Sequence, residues 1–230
     1  FIDCGNPPPN IFAKYYQAGC LAFELIANKQ KVICNSGYGK YLSSKLAFVS
    51  KSTAAQSTLY INDTSSCVFE KNKTINKIYG NSLIYKHRVI KKNYTENKNF
   101  YSIIASHNGY EKKFGYSHER SKKIMKKEDK IYGQDNLKKT KSYNNSLNYF
   151  IRFHIYPDTK IVKTKAGNSV LISLGVIFAI SKFPLFKHAA IQKGPAIILS
   201  DITEYSVWFK ELVPSIVQVL PDHVIFAPAE

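Results

Sequence analysis

The side chains that could do chemistry fall into three groups: histidines, four cysteines and a large excess of cations. His107 precedes Asn108-Gly109, which by itself is a turn or surface pattern. Arg88 lies among Lys86, Lys91 and Lys92, a pattern ordinarily read as a solvated basic strand. Tyr38 stands between Gly37 and Gly39, where a packed aromatic is the plain reading. His87 and His154 sit in apolar strand-like runs and read as structural. Cys4, Cys20, Cys34 and Cys67 all fall in the first third. Their spacing matches no zinc pattern, so no metal and no cofactor are expected. An even count fits an oxidised, secreted chain, with three possible pairings among the four candidates. Asn62, Asn72, Asn93 and Asn144 open Asn-x-Ser/Thr sequons, which permit a secretory route.

Thirty-three Lys and Arg against 16 Asp and Glu give a net charge of +17 over 230 residues. That excess points to a polyanionic partner, nucleic acid first and an anionic membrane surface second. The charge is uneven. Residues 166–230 hold four lysines against five acids, so the cationic excess lies wholly in 1–165. It is densest over 111–141, which reads as a solvated basic segment or an electrostatic tether for RNA. No apolar run reaches the ~18–20 residues of a membrane span.

The elements expected to position these residues follow from periodicity. Pro7, Pro8 and Pro9 stop regular structure, and Asn10 suits a helix N-cap. Ile11, Tyr15, Ala18, Ala22 and Ile26 form one helical stripe, predicting an amphipathic helix over 11–27. Runs at 46–50, 58–61, 67–69, 83–90 and 100–105 predict short strands. The fold class expected is α+β: one N-terminal helix packed on an antiparallel sheet, with a C-terminal extension of uncertain fold. The division expected is a domain over 1–116, a basic linker or insertion over 117–148, and an apolar region over 149–230. Within the last, 149–156 and 159–164 suggest a strand pair around Pro157-Asp158, and 203–212 a short helix.

The order of segments in 1–116 resembles the guanyl-specific microbial ribonucleases of the T1/F1 type. It resembles more closely the ribonuclease-like secreted effectors of powdery mildew fungi. The carriers are Phe1-Ile-Asp-Cys4-Gly5, Tyr16-Gln-Ala-Gly-Cys-Leu, Tyr38-Gly-Lys40-Tyr, Leu46-Ala-Phe, His87-Arg88-Val-Ile and Phe100-Tyr-Ser-Ile-Ile-Ala-Ser-His107. The resemblance implies Tyr38, Arg88 and His107 as remnants of a transphosphorylation site, with His107 as acid and Arg88 as phosphate clamp. The strand that should carry the base reads Ser57-Thr-Leu-Tyr-Ile61, without a carboxylate. A catalytically inactive effector is therefore implied. It would be secreted, delivered into host cells, and would bind host RNA or host proteins such as an immune receptor. The RNA-binding set would be Lys40, Arg88, Lys91, Lys92, His107, Lys112 and Lys113. Two rivals stand beside it: an active guanyl-type endoribonuclease with a displaced base, and a protein-interaction module that binds no RNA.

Overall fold

The computed structural model describes residues 1–230 except 28, 40–42, 73, 77–82, 129, 143–146, 158, 164–169, 174–176, 182–188, 192–195, 200–203, 210–214, 220–222 and 229–230. Strands dominate. In chain order they are β1 (Ile2–Asp3), β2 (Leu25–Ala27), β3 (Gln30–Cys34), β4 (Leu59–Ile61), β5 (Val68–Phe69), β6 (Leu83–Tyr85), β7 (Val89–Glu96), β8 (Phe100–His107), β9 (Tyr116–Met125) and β10 (Lys130–Lys139). They continue as β11 (Tyr149–Ile155), β12 (Lys160–Lys163), β13 (Val170–Ser173), β14 (Ile177–Ser181), β15 (Ala189–Ile191), β16 (Ala196–Leu199), β17 (Glu204–Phe209), β18 (Ser215–Val219) and β19 (His223–Pro228). Helices α1 (Ser44–Val49) and α2 (Glu111–Phe114) are short.

Two large antiparallel sheets carry the architecture. One runs β12-β13-β14-β17-β10-β9-β8-β7, the other β15-β16-β11-β3-β2 with β4 also on β11. A single apolar core joins them: Ile103, Ala105 and Ile124 of the first meet Val32, Ile33, Ile151 and Ile155 of the second. Each sheet packs one face on the core, so burial alternates along β10, β11 and the second half of β9, whereas Ser117 to Arg120 are all buried.

The expected N-terminal helix does not form. Asn10–Tyr15 is a six-residue 3-10 helix, with Ile11 and Phe12 left 78% and 69% exposed. From Ala18 to Phe23 every residue is buried, because the segment threads through the core instead of lying on it. Leu21 adopts a left-handed backbone (φ 62°), which no helix tolerates in a branched side chain. The fold class is accordingly mostly β rather than one helix on a sheet.

Other expectations divide similarly. Strands at 58–61, 67–69 and 100–105 appear within one or two residues of their predicted bounds. The run 46–50 is instead helix α1, capped by Ser43, whose Oγ accepts the Leu46 N–H at 3.4 Å. The basic segment expected as a linker over 117–148 contains β9 and β10, which pair over ten residue positions at the middle of the larger sheet. Strands β11 and β12 form but do not pair with each other: β11 joins β3, β4 and β16, and β12 joins β13. The helix expected within 203–212 is strand β17. Since β17 pairs with β10, and β16 with β11, the C-terminal region shares its sheets with the rest.

Candidate functional site

His107, at the end of β8, is fully buried and starts a chain of polar groups between the sheets. Its Nδ1 accepts the Gly109 N–H at 3.0 Å, so its own proton sits on Nε2. Nε2 faces His118 Nδ1 at 3.3 Å, and His118 Nε2 donates to Asp135 Oδ1 at 2.6 Å. Arg120 closes the line with two bonds to the same carboxylate, Nε to Oδ1 at 2.7 Å and Nη2 to Oδ2 at 3.0 Å. Its remaining amino group donates to the carbonyls of Leu21 and Ser57 at 2.7 and 2.8 Å. The left-handed turn at Leu21 thus presents a carbonyl to a buried guanidinium. Each ring in the line has one donor and one acceptor matched, so the neutral tautomers are fixed by the backbone at one end and the carboxylate at the other.

Position follows from the pleat. His118, Arg120, Lys122 and Ile124 alternate inward along β9, and Asp135 stands opposite Arg120 in the register of β10. Gly109 must be glycine: a Cβ there would lie 2.8 Å from both Cβ and O of Ser66 and 2.9 Å from His107 Nδ1. A second pair abuts the line. Cys67 Sγ lies 3.1 Å from His87 Nδ1, and the His87 and His107 rings are 5.2 Å apart.

Burial sets the electrostatics. It drives His107 well below the usual imidazole range, assisted by the neighbouring His118, His87 and Arg120. It lowers His87 to about 4 and lowers His118 as well, against the opposing pull of Asp135. Burial alone would raise Asp135, but the Arg120 guanidinium and His118 outweigh it and hold the carboxyl well below its ordinary value. At neutral pH the line is therefore neutral, neutral, anion, cation. It orients and supports its surroundings; no group in it faces solvent.

A cleft of about 440 Å³ is lined by Asp3, Gly5, Tyr15, Tyr16, Gln17, Glu24, Asn35 and Gln56 among others. Its amides are pre-set: Gln56 Nε2 donates to Gln17 Oε1 at 3.1 Å, and Asn35 donates through its backbone and side-chain nitrogens to Glu24 Oε1. Such a lining combines aromatic rings with polar groups that can orient a bound polar molecule. Asp3 and Glu24 stand on its wall, and Lys31 pairs with Glu24 at 3.6 Å.

The residues picked from sequence do not converge. His107 is buried, whereas the Arg88 side chain is exposed and only its backbone meets the neighbouring Asn108. Tyr38 packs on the Tyr15 ring at 5.6 Å and under Lys51 Nζ at 4.9 Å. Lys91 pairs with Glu119, Lys112 stands over the Tyr85 ring, and Lys113 donates to Thr64. Lys92 is exposed, and Lys40 lies outside the described residues. Cys4, Cys20, Cys34 and Cys67 are free thiols, not disulfide partners. Burial pushes Cys4 up to about 12 and Cys67 up to about 11, which keeps them protonated and inert. His118, Arg120 and Asp135 were missed. The period-2 pattern Ile131-x-Gly133-x-Asp135-x-Leu137 is the signal that could have found their strand pair.

A model of the family described as heparinase II/III-like, C-terminal, matches residues 1–202. The chain belongs to that family. Among solved structures it is similar to a mutant of the heparan sulfate lyase HepC from Pedobacter heparinus, with a TM-score of 0.62 at 13% identity. That likeness covers 93% of this chain and 37% of the lyase chain, so the chain spans little more than a third of its neighbour. No curated protein matches the sequence. The family match and the two-sheet fold overturn the resemblance to T1-type ribonucleases and mildew effectors. With it go the inactive-ribonuclease reading, its displaced-base rival and the RNA-binding role derived from it. The segment matches that suggested the resemblance are short, and strands of any β-rich protein satisfy several of them.

Proposed function

We propose that this chain is the β-sheet lobe of a lyase that cleaves an acidic polysaccharide. The observation that carries the reading is the family match over residues 1–202. Fold likeness to a heparan sulfate lyase supports it. So does the net charge of +17, which suits a polymer bearing carboxylates or sulfates as well as it suits nucleic acid.

In such a reaction a base removes the proton at C5 of a uronate. The electron pair forms the C4–C5 double bond, the C4–O bond breaks, and the leaving oxygen takes up a proton. The lobe would contribute cations that offset polymer charge and a frame that holds the chain in register. The buried line from His107 to Arg120 would be part of the frame, since it ties β8, β9 and β10 to the Leu21 and Ser57 segments. Full-length protein carrying this lobe is expected to release unsaturated uronate, read by ultraviolet absorbance, from at least one polymer among heparan sulfate, chondroitin sulfate and alginate. Absence of product from all acidic polymers tested would reject the reading.

A further inference from the structure

We propose that the outer face of strands β7 to β10 is a binding surface for a linear acidic polysaccharide, an inference that rests on the lyase-lobe reading above. Side chains alternate across a strand, so residues opposite Glu119 and Lys123 share the face turned away from the core. The register puts Lys91 opposite Ser106, Ser106 opposite Glu119, and Glu119 opposite Asn136 in one row across four strands. Two rows on, Thr95, Ser102, Lys123 and Tyr132 form another. Apart from its lysines it is built mainly of short hydroxyl and amide side chains; Ser106, Ser117 and Glu119 are 4%, 3% and 7% exposed, so contact with a ligand falls to the taller Lys123, Lys138 and Tyr132 around them.

Two features point to an anion. Among the described side chains of this face, Lys91, Lys123, Lys130 and Lys138 stand against Glu119, and Glu128 in the β9–β10 turn pairs with Lys130 at 3.2 Å, so four cations meet two carboxylates. Furthermore, Lys91 and Lys138 reach from either side to the same oxygen, Glu119 Oε2, at 3.2 and 2.9 Å. Two ammonium groups converging on one carboxylate already form an anion seat, with Glu119 as its internal occupant. A carboxylate or sulfate on a polymer can share it. Rings are present beside the cations: Tyr132 is exposed, and Lys123 Nζ stands 4.0 Å from the centre of the Phe100 ring. Ring faces beside cations suit sugar units that carry a C–H face and a charged edge.

Binding to immobilised heparin, with dextran as uncharged control, tests the assignment at several salt concentrations. Wild type is expected to bind heparin, to lose affinity as salt rises, and to ignore dextran. Lys123→Ser and Tyr132→Ala are each expected to weaken binding roughly three- to fivefold. Glu119→Gln is expected to tighten it by about as much, because the lysines lose their internal anion. Misfolding cannot produce that gain. Glu96→Gln, on the other face of the same sheet and paired with Lys126 at 2.8 Å, controls for net charge and should change little. Equal gains in both Gln variants would overturn the surface. So would unchanged binding in Lys123→Ser and Tyr132→Ala together with loss in a Lys112→Ser/Lys113→Ser variant, although that result would leave the lyase-lobe reading intact. Lyase activity without any heparin retention would also reject the surface alone, whereas no binding and no activity on any acidic polysaccharide would sink both.

Discussion

Strands β9 and β10 carry charge on both faces, and the two faces handle it differently. Inward, His118, Arg120 and Asp135 are at most 2% exposed, and their polar atoms bond to one another, to His107 and to the carbonyls of Leu21 and Ser57. Outward, Lys123, Lys130 and Lys138 keep contact with water, and Glu119 is held between two lysines. The inner charges have no solvent to fall back on, so their geometry is over-determined and losing one partner strands the other. The outer charges are screened and individually weak, and that leaves them available to a ligand. One pair of strands therefore joins a rigid support to an adaptable surface, and the contrast can be tested one side chain at a time.

The largest effect belongs to the inner face. Asp135→Ala leaves the Arg120 guanidinium buried without its carboxylate and removes the acceptor of His118. A loss of about 3–5 kcal/mol is expected, measured by urea unfolding at pH 7.5. The double variant Arg120→Met/Asp135→Ala should cost clearly less than the two single losses added, since no stranded charge remains. Strict additivity would mean that the pair does not act as a unit.

Acid tests the same line next. His87, His107 and His118 all have folded-state values below the ordinary 6.5, because burial disfavours the imidazolium. The unfolded chain then binds more protons as pH falls through 6.5. Stability is full above that point and is lost downward toward the folded values, about 4 for His87. His87 alone accounts for roughly 3 kcal/mol across that window. Asp135, held low by Arg120 and His118, adds a further loss only below its ordinary 3.8. Denaturation midpoints should fall steeply between pH 6.5 and 4. A flat profile there would contradict the buried, neutral histidines.

The sequence was legible where inward residues are apolar and illegible where they are not. Strand β8, with Phe100-Tyr-Ser-Ile-Ile-Ala-Ser-His107, announces itself by composition, as does Leu59-Tyr-Ile61. Strand β9 does not, because its inward set of His118, Arg120 and Lys122 looks like a solvated run until Asp135 is known to stand opposite Arg120. Compensation across strands is invisible to a local window. The failed helix over 11–27 has the reverse cause: Ala18, Ala22 and Ile26 suit a helical face, but the core buries Cys20, Leu21 and Phe23 as well. Burial here follows no helical face: Ile11, Tyr15 and Ile26 of the stripe are exposed, whereas 18–23 are buried on every side. His107 before Asn108-Gly109 reads locally as a turn or surface histidine, since nothing local reveals that it is sealed between two sheets.

A mid-sized effect sharpens the account of how the line is oriented. Gly109→Ala drives a methyl into Ser66 and into His107 Nδ1, the end of the relay where the backbone fixes the tautomer. Destabilisation of about 1–3 kcal/mol is expected, read by thermal unfolding. The acid-sensitive window should also move, because His107 loses the hydrogen bond that holds its proton on Nε2. A change in stability with an unaltered pH profile would show that Gly109 matters for packing alone.

The smallest effect is the most informative about the outer face. Lys123 and Tyr132 occupy positions where the side chain meets water, and neither takes part in the line of buried bonds. Lys123→Ser and Tyr132→Ala should each leave the unfolding midpoint within about 0.5 kcal/mol of wild type. If either lost as much as Gly109→Ala, the outer face would be part of the support, and weakened heparin binding in that variant would carry no information about contact. Unchanged stability with weakened binding separates the faces cleanly. The comparison holds only if the side chains that can be removed without harm to the fold are the ones a ligand notices.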